Sequence, residues 1–406
     1  GGRFWGYLVA WLNLSGLVTV LAAINVGTVR FVDSLVGVKL DDPITQALLV
    51  ATITLSQALI NHRGIRITQA LIDFSGWWIV GVSIAVVALV MTLTPSFSIT
   101  RAFTWANYSG LPEESPVWPA SDSMAWLAFM AALLPAYTIT GFDASAHAAE
   151  ETINAAREVP KAMIRSVVVS GIAGWIMLGM IVCSVTDPLK IVEAAEGAFM
   201  MALGQATGET IALMLGWAIA VAQYLCGLAT VTAASRMAYA FARDGGLPFS
   251  RSLAKVSHDT RVPVAGIWTV AIVSVLFTLW TPVYATITSV CTILLYLSYV
   301  VPLFLAARAL GRTWTELGPF QLGIWFKPAA MVSVAGCAGL VAIGVQPPND
   351  QALVVLGVLV VVLIACWFMV AAQTFKGPPT IGAADATRLL KIHESEVSMD
   401  GEGSSP

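Results

Sequence analysis

The chain has 406 residues, of which 57% are hydrophobic and only 11% charged, with a formal net charge of −3. Soluble chains carry about a quarter charged residues, and so few charges cannot cover a water-facing surface of this size. The mean hydropathy of +0.80 excludes an ordinary soluble fold, and no Lys/Arg-rich stretch supports nucleic-acid binding. The five cysteines (Cys183, Cys226, Cys291, Cys337 and Cys366) all sit inside apolar runs with no CxxC spacing. They read as small membrane-core side chains, and neither a disulfide framework nor a metal site is expected.

Crossing about 30 Å of hydrocarbon takes roughly 20 apolar residues in a helix. Charge-free runs of that kind fall at 4–29, 43–62, 74–100, 123–142, 166–186, 210–235, 262–307, 328–349 and 351–375. The run 262–307 is too long for one crossing. It divides at Thr281-Pro282, because proline starts a helix well and continues one poorly. Ten spanning helices result, with a shorter uncharged piece at 197–208 expected to be interfacial or re-entrant. None of the runs alternates in the way a membrane β-barrel requires. The expected class is an all-α polytopic membrane protein whose first partner is the lipid bilayer.

With ten crossings, 17 of the 21 Lys and Arg fall on one side and 4 on the other. The positive-inside rule makes the richer side cytoplasmic and puts both chain ends there. Residues 101–122 form an outside loop with Asn107-Tyr108-Ser109, a glycosylation sequon for which chance occurrence is the competing reading. Residues 377–406 are polar and rich in Gly, Ser and acids, as in a disordered cytoplasmic tail. The transmembrane domain is therefore 1–376. The chain begins Gly1-Gly2-Arg3 with no initiator Met, which fits a processed or partial sequence.

The fourth span carries the chemistry. Pro135 and Gly141 stand six residues apart inside it, with Tyr137, Thr138 and Thr140 between them. Helix breakers and polar side chains in a span are expensive unless they line an enclosed cavity. A break here frees backbone N–H and C=O groups, and half-helix ends bind carboxylates, ammonium groups or ions near the midplane. The competing reading is a proline kink with Thr hydroxyls bonded back to carbonyls. Asp143 and His147 share a helix face. They read as a solvated cytoplasmic helix end, since Glu150 and Glu151 follow, with a proton relay as the other reading. Hydroxyls on the sixth span (Thr230, Thr232, Ser235, beside Gln223 and Tyr224) and the eighth (Thr286, Thr288, Ser289, Thr292, Tyr296, Ser298) suit either helix packing or ion coordination.

The stretch Thr138-Ile-Thr-Gly-Phe-Asp-Ala-Ser-Ala-His-Ala-Ala-Glu-Glu-Thr-Ile-Asn154, followed by Arg157-Glu-Val-Pro-Lys161, resembles the amino acid–polyamine–organocation (APC) transporter superfamily. The wording is most similar to the amino acid, GABA and choline permease branch. Ser235-Arg-Met-Ala-Tyr-Ala-Phe-Ala-Arg-Asp-Gly-Gly-Leu-Pro248 and Glu316-Leu-Gly-Pro-Phe-Gln-Leu-Gly-Ile-Trp-Phe-Lys-Pro328 agree with this. The resemblance covers most of 4–375. It implies an APC-type 5+5 inverted-repeat fold with two further helices, of which the ten spans here match family helices three to twelve. The first two, which carry part of the substrate site, have no counterpart in this chain. Carried over, Tyr137, Thr138, Ile139, Thr140 and Gly141 lie at the unwound substrate site, and Phe142 is an aromatic gate. Asp143, Glu150, Glu151, Arg157, Arg243 and Asp244 become gating charges. The Lys that couples some members to protons lies in family helix five, and the matching run 74–100 has none.

These readings converge on a secondary active transporter for a small amino acid or related amine (GABA, choline-like), working by alternating access in the plasma membrane. No cofactor is expected, with H+ or Na+ as candidate coupling ions. The competing reading is a transport-incompetent remnant or receptor that keeps the permease scaffold. A membrane enzyme would need convergent carboxylates, His or Cys at membrane depth, and the charge-free spans supply no carboxylates.

Overall fold

The computed structural model describes residues 2–37, 42–113, 119–149, 152–280, 284–315, 317–347 and 349–377. Its helices are α1 (Arg3–Val36), α2 (Pro43–His62), α3 (Ile65–Leu93), α4 (Met124–Ala131), α5 (Leu133–Thr138), α6 (Ala144–His147), α7 (Ala155–Ser184), α8 (Pro188–Glu193), α9 (Ala198–Thr207), α10 (Glu209–Arg243), α11 (Ser250–Leu253), α12 (Val264–Trp280), α13 (Tyr284–Ala309), α14 (Phe326–Gly344), α15 (Gln351–Cys366) and α16 (Ala372–Thr374). Among the described residues, extended pairing is limited to one isolated bridge, Leu310 to Trp314.

Among the described residues, eight helices are long and apolar enough to cross a membrane, and α12 and the α4–α5 stretch are shorter apolar helices. These ten correspond one for one to the expected runs. The helices overshoot the charge-free stretches. At 34 and 35 residues, α1 and α10 are about 50 Å long, so their last turns reach past the hydrocarbon and carry charges such as Arg243. The run 74–100 is the opposite case. Its helix stops at Leu93 because Pro95 disfavours a helical residue before it, and 99–103 form a separate 3₁₀ turn. The long run divides as expected between α12 and α13, although Thr281 and Pro282 themselves lie outside the described residues, as does the tail from 378. The uncharged piece 197–208 is α9, packed on α3, α7, α8 and α10.

Helix starts follow local chemistry. Pro43 stands at the first position of α2, and the Asp42 carboxylate accepts from the N–H groups of Ile44 and Thr45. The Thr45 hydroxyl, then its N–H, hold that carboxyl below its ordinary value.

Burial orders the bundle. Most of the apolar stretch of α1 is buried, against about a tenth for α3 and α7. α1 packs on α2, α10, α12 and α13, through Leu21, Ala22 and Ala23, which are closed to solvent. Amides pin this centre. Asn25 Nδ2 donates to Thr54 Oγ1 (2.8 Å) and Gln57 Oε1 (2.9 Å), and Gln57 Nε2 donates back to Asn25 Oδ1 and to the Tyr224 carbonyl. Gly227 makes the approach of α10 feasible, since a Cβ there would collide with the Gln57 amide and the Asn25 oxygen. One turn on, Thr232 donates to Asn61 Oδ1 (2.7 Å), whose amide donates to the Leu228 carbonyl. Tyr7, Trp11, Phe241, Trp367 and Phe375 close the end of the core nearest the chain termini.

Candidate functional site

The fourth span is broken. α5 ends at Thr138, and regular helix resumes only at Ala144 for one turn. Thr140 N–H donates to the Tyr137 carbonyl (3.1 Å) instead of to Ala136, one turn back. The Ala136 carbonyl so released accepts from the Tyr296 hydroxyl (3.2 Å). Gly141 then turns the chain with φ +82°, a left-handed conformation that glycine adopts without a Cβ penalty. Its N–H points at the Tyr299 hydroxyl at 3.4 Å. Two tyrosines three residues apart on α13 thus meet backbone groups on either side of the break. The Thr hydroxyls bond back as the kink reading expects, Thr138 to Leu134 O and Thr140 to Tyr137 O, but within a helix that is interrupted.

Open space lies on both flanks. Tyr137 lines a cavity of about 400 Å³ with Gly27 and Arg30 of α1, Gln223 and Cys226 of α10, and Tyr284 of α13. Phe142 borders a larger, apolar one of about 760 Å³ with Tyr296, Tyr299 and Cys337. The Phe142 ring packs on Tyr299 with centroids 4.6 Å apart.

Asp143 corrects the expectation of a solvated helix end. It is buried, and each carboxylate oxygen accepts from another helix: Oδ2 from Asn13 Nδ2 of α1 (2.9 Å), Oδ1 from the Tyr299 hydroxyl (2.7 Å). Asn13 Nδ2 also reaches Ser298 Oγ (3.2 Å). His147 Nε2 lies 3.2 Å from Oδ2. The reason is the break itself, which leaves α6 short and packed on α7 and α10 instead of letting the span run out to water.

An amino acid permease sequence profile matches residues 2–376. The chain belongs to the amino acid permease family. The amino-acid permease BAT1 of Arabidopsis thaliana is 27% identical over 92% of this chain and 76% of its own length. A BAT1 homologue of Oryza sativa subsp. japonica is 31% identical over 81% of this chain and 66% of its own length. An uncharacterized amino-acid permease of Schizosaccharomyces pombe is 29% identical over 70% and 54%. Family and relatives are transporters, not enzymes.

Within the permease, the described charges expected to gate stand on different elements. Arg157 is exposed at the start of α7, where Glu158 pairs with Lys161 (2.7 Å). Glu150 and Glu151 lie outside the described residues. Arg243 and Asp244 contact each other at the end of α10 (3.4 Å), and the Asp244 carbonyl accepts from the Lys376 N–H. Among the described ones, only Asp143 joins the break. Most hydroxyls of α10 and α13 turn back to their own helix, as Thr230, Thr292 and Ser298 do, which favours packing. Thr286 and Ser289 are fully buried. Two residues that sequence reasoning passed over, Asn13 and Tyr299, also contact the broken segment. Asn13 left a signal, as a carboxamide inside the apolar run 4–29.

Proposed function

We propose that the permease is a secondary active transporter that moves a small amino acid or related amine, GABA and choline-like cations included, by alternating access. The observation that carries this is the interruption at Tyr137–Phe142, with peptide groups released from helix bonding and space on both sides. Thr138, Ile139, Thr140 and Gly141 would offer backbone donors and acceptors to the substrate's ammonium and carboxylate, and Phe142 would cover it. Asp143 would hold the segment against α1 and α13 in one state. Arg157, Arg243 and Asp244, with Glu150 and Glu151, would act at the cytoplasmic face. No covalent step is needed, because substrate shifts the balance between states by binding them unequally. The division of Lys and Arg supports cytoplasmic ends, and the proposed membrane is the plasma membrane.

The test is uptake of labelled L-alanine, L-glutamate, L-arginine, GABA and choline by proteoliposomes holding the full-length protein. Saturable uptake of at least one is expected, and its weakening in Gly141→Leu. Saturable uptake indifferent to that change would remove the site from the break.

A further inference from the structure

We infer that His147, paired with Asp143, is where the permease binds a co-transported proton; this rests on the transport reading above. Asp143 and His147 sit one turn apart on the same segment, whereas the donors that satisfy the carboxylate, Asn13 and Tyr299, belong to α1 and α13. A buried carboxylate is tolerable only while paired or hydrogen-bonded. If the segment moves off α1 and α13 during transport, the carboxylate loses both donors. A proton on His147 compensates, because the imidazolium travels with Asp143 and forms an ion pair inside the moving piece. Proton binding therefore favours the state in which α1 and α13 have let go, and that differential is what couples a proton to movement.

The surroundings suit a proton better than a metal cation. Asp143 faces an amide N–H and a phenolic O–H, which offer hydrogens rather than lone pairs. Nε2 lies 3.2 Å from the carboxylate oxygen without a directed hydrogen bond, so a proton on the ring adds an attraction that the neutral imidazole does not supply. Water has a route, because His147 lines a cavity of about 600 Å³ between α2, α3, α6 and α10. That cavity also presents Asp73 of α3, Arg236 and Tyr239 of α10, and Arg261 before α12. On α7 the nearest charges in sequence, Arg157 and Glu158, are exposed.

The experiment uses proteoliposomes loaded with pyranine, with L-alanine, L-glutamate, L-arginine and GABA supplied in turn. Exchange of labelled for unlabelled solute is measured in parallel. For a solute that exchanges, adding it outside is expected to acidify the lumen, with no change when N-methylglucamine replaces Na+. His147→Gln is expected to lose the acidification while still exchanging. Asp143→Asn is expected to lose it too, and if that variant misfolds His147→Gln alone decides. Exchange without acidification in the wild type, uptake that requires Na+, or acidification intact in His147→Gln overturns the inference and leaves the transport reading standing. Absence of exchange by the wild type overturns the transport reading, and the proton site with it.

Discussion

Tyr299 meets two demands with one hydroxyl. It donates to the Asp143 carboxylate at 2.7 Å and stands 3.4 Å from the Gly141 N–H. Removing it leaves a buried carboxylate short of a donor, whereas Tyr296 serves one neutral carbonyl. Tyr299→Phe is therefore expected to cost about 1–2 kcal/mol and Tyr296→Phe about 0.6 kcal/mol, read as thermal unfolding in detergent. Equal losses would show that the carboxylate gains no more from Tyr299 than the Ala136 carbonyl gains from Tyr296. This cluster was largely illegible in the sequence. Asp143 is followed by two glutamates and looks like the wet end of a helix. The groups that bury it come from 130 and 156 residues away, a distance no local pattern spans.

At the scale of the element the sequence was more informative. Pro135 and Gly141 marked the break, since the first lacks an N–H and the second supplies φ +82°. A Cβ on Gly141 would meet nothing within 4 Å. The effect of Gly141→Leu thus comes from backbone strain, about 1–3 kcal/mol, and is expected to raise the half-saturating substrate concentration while expression holds. Gly227 works the other way, its backbone conformation ordinary and its space filled by Gln57 and Asn25. Gly227→Ala is expected to destabilise by about 1–3 kcal/mol, with a matching fall in melting temperature. An unchanged melting temperature would mean that α2 and α10 part without cost. What charge-free runs could not mark was where helices end: α10 keeps bonding to Arg243 because long cationic side chains carry their charge out of the lipid.

For the whole molecule, hydropathy marked the ten apolar stretches that the structure folds as helices. The structure adds which crossings face lipid. Trp77 on α3, Trp175 on α7 and Val361 on α15 project outward, while α1 is enclosed. Orientation remains a matter of Lys and Arg placement. Of two introduced cysteines, Ser109→Cys is expected to react with a membrane-impermeant maleimide on intact cells and Lys161→Cys only after permeabilisation. The reverse pattern would invert the topology.

The tyrosine pair on α13 has a mechanical consequence. Tyr296 grips the chain before the gap and Tyr299 grips it after, at Asp143, so α13 acts as a splint across a fracture. The two pieces of the fourth span cannot pivot independently while both phenols hold. Either α13 swings along with them, or the splint comes off one end first.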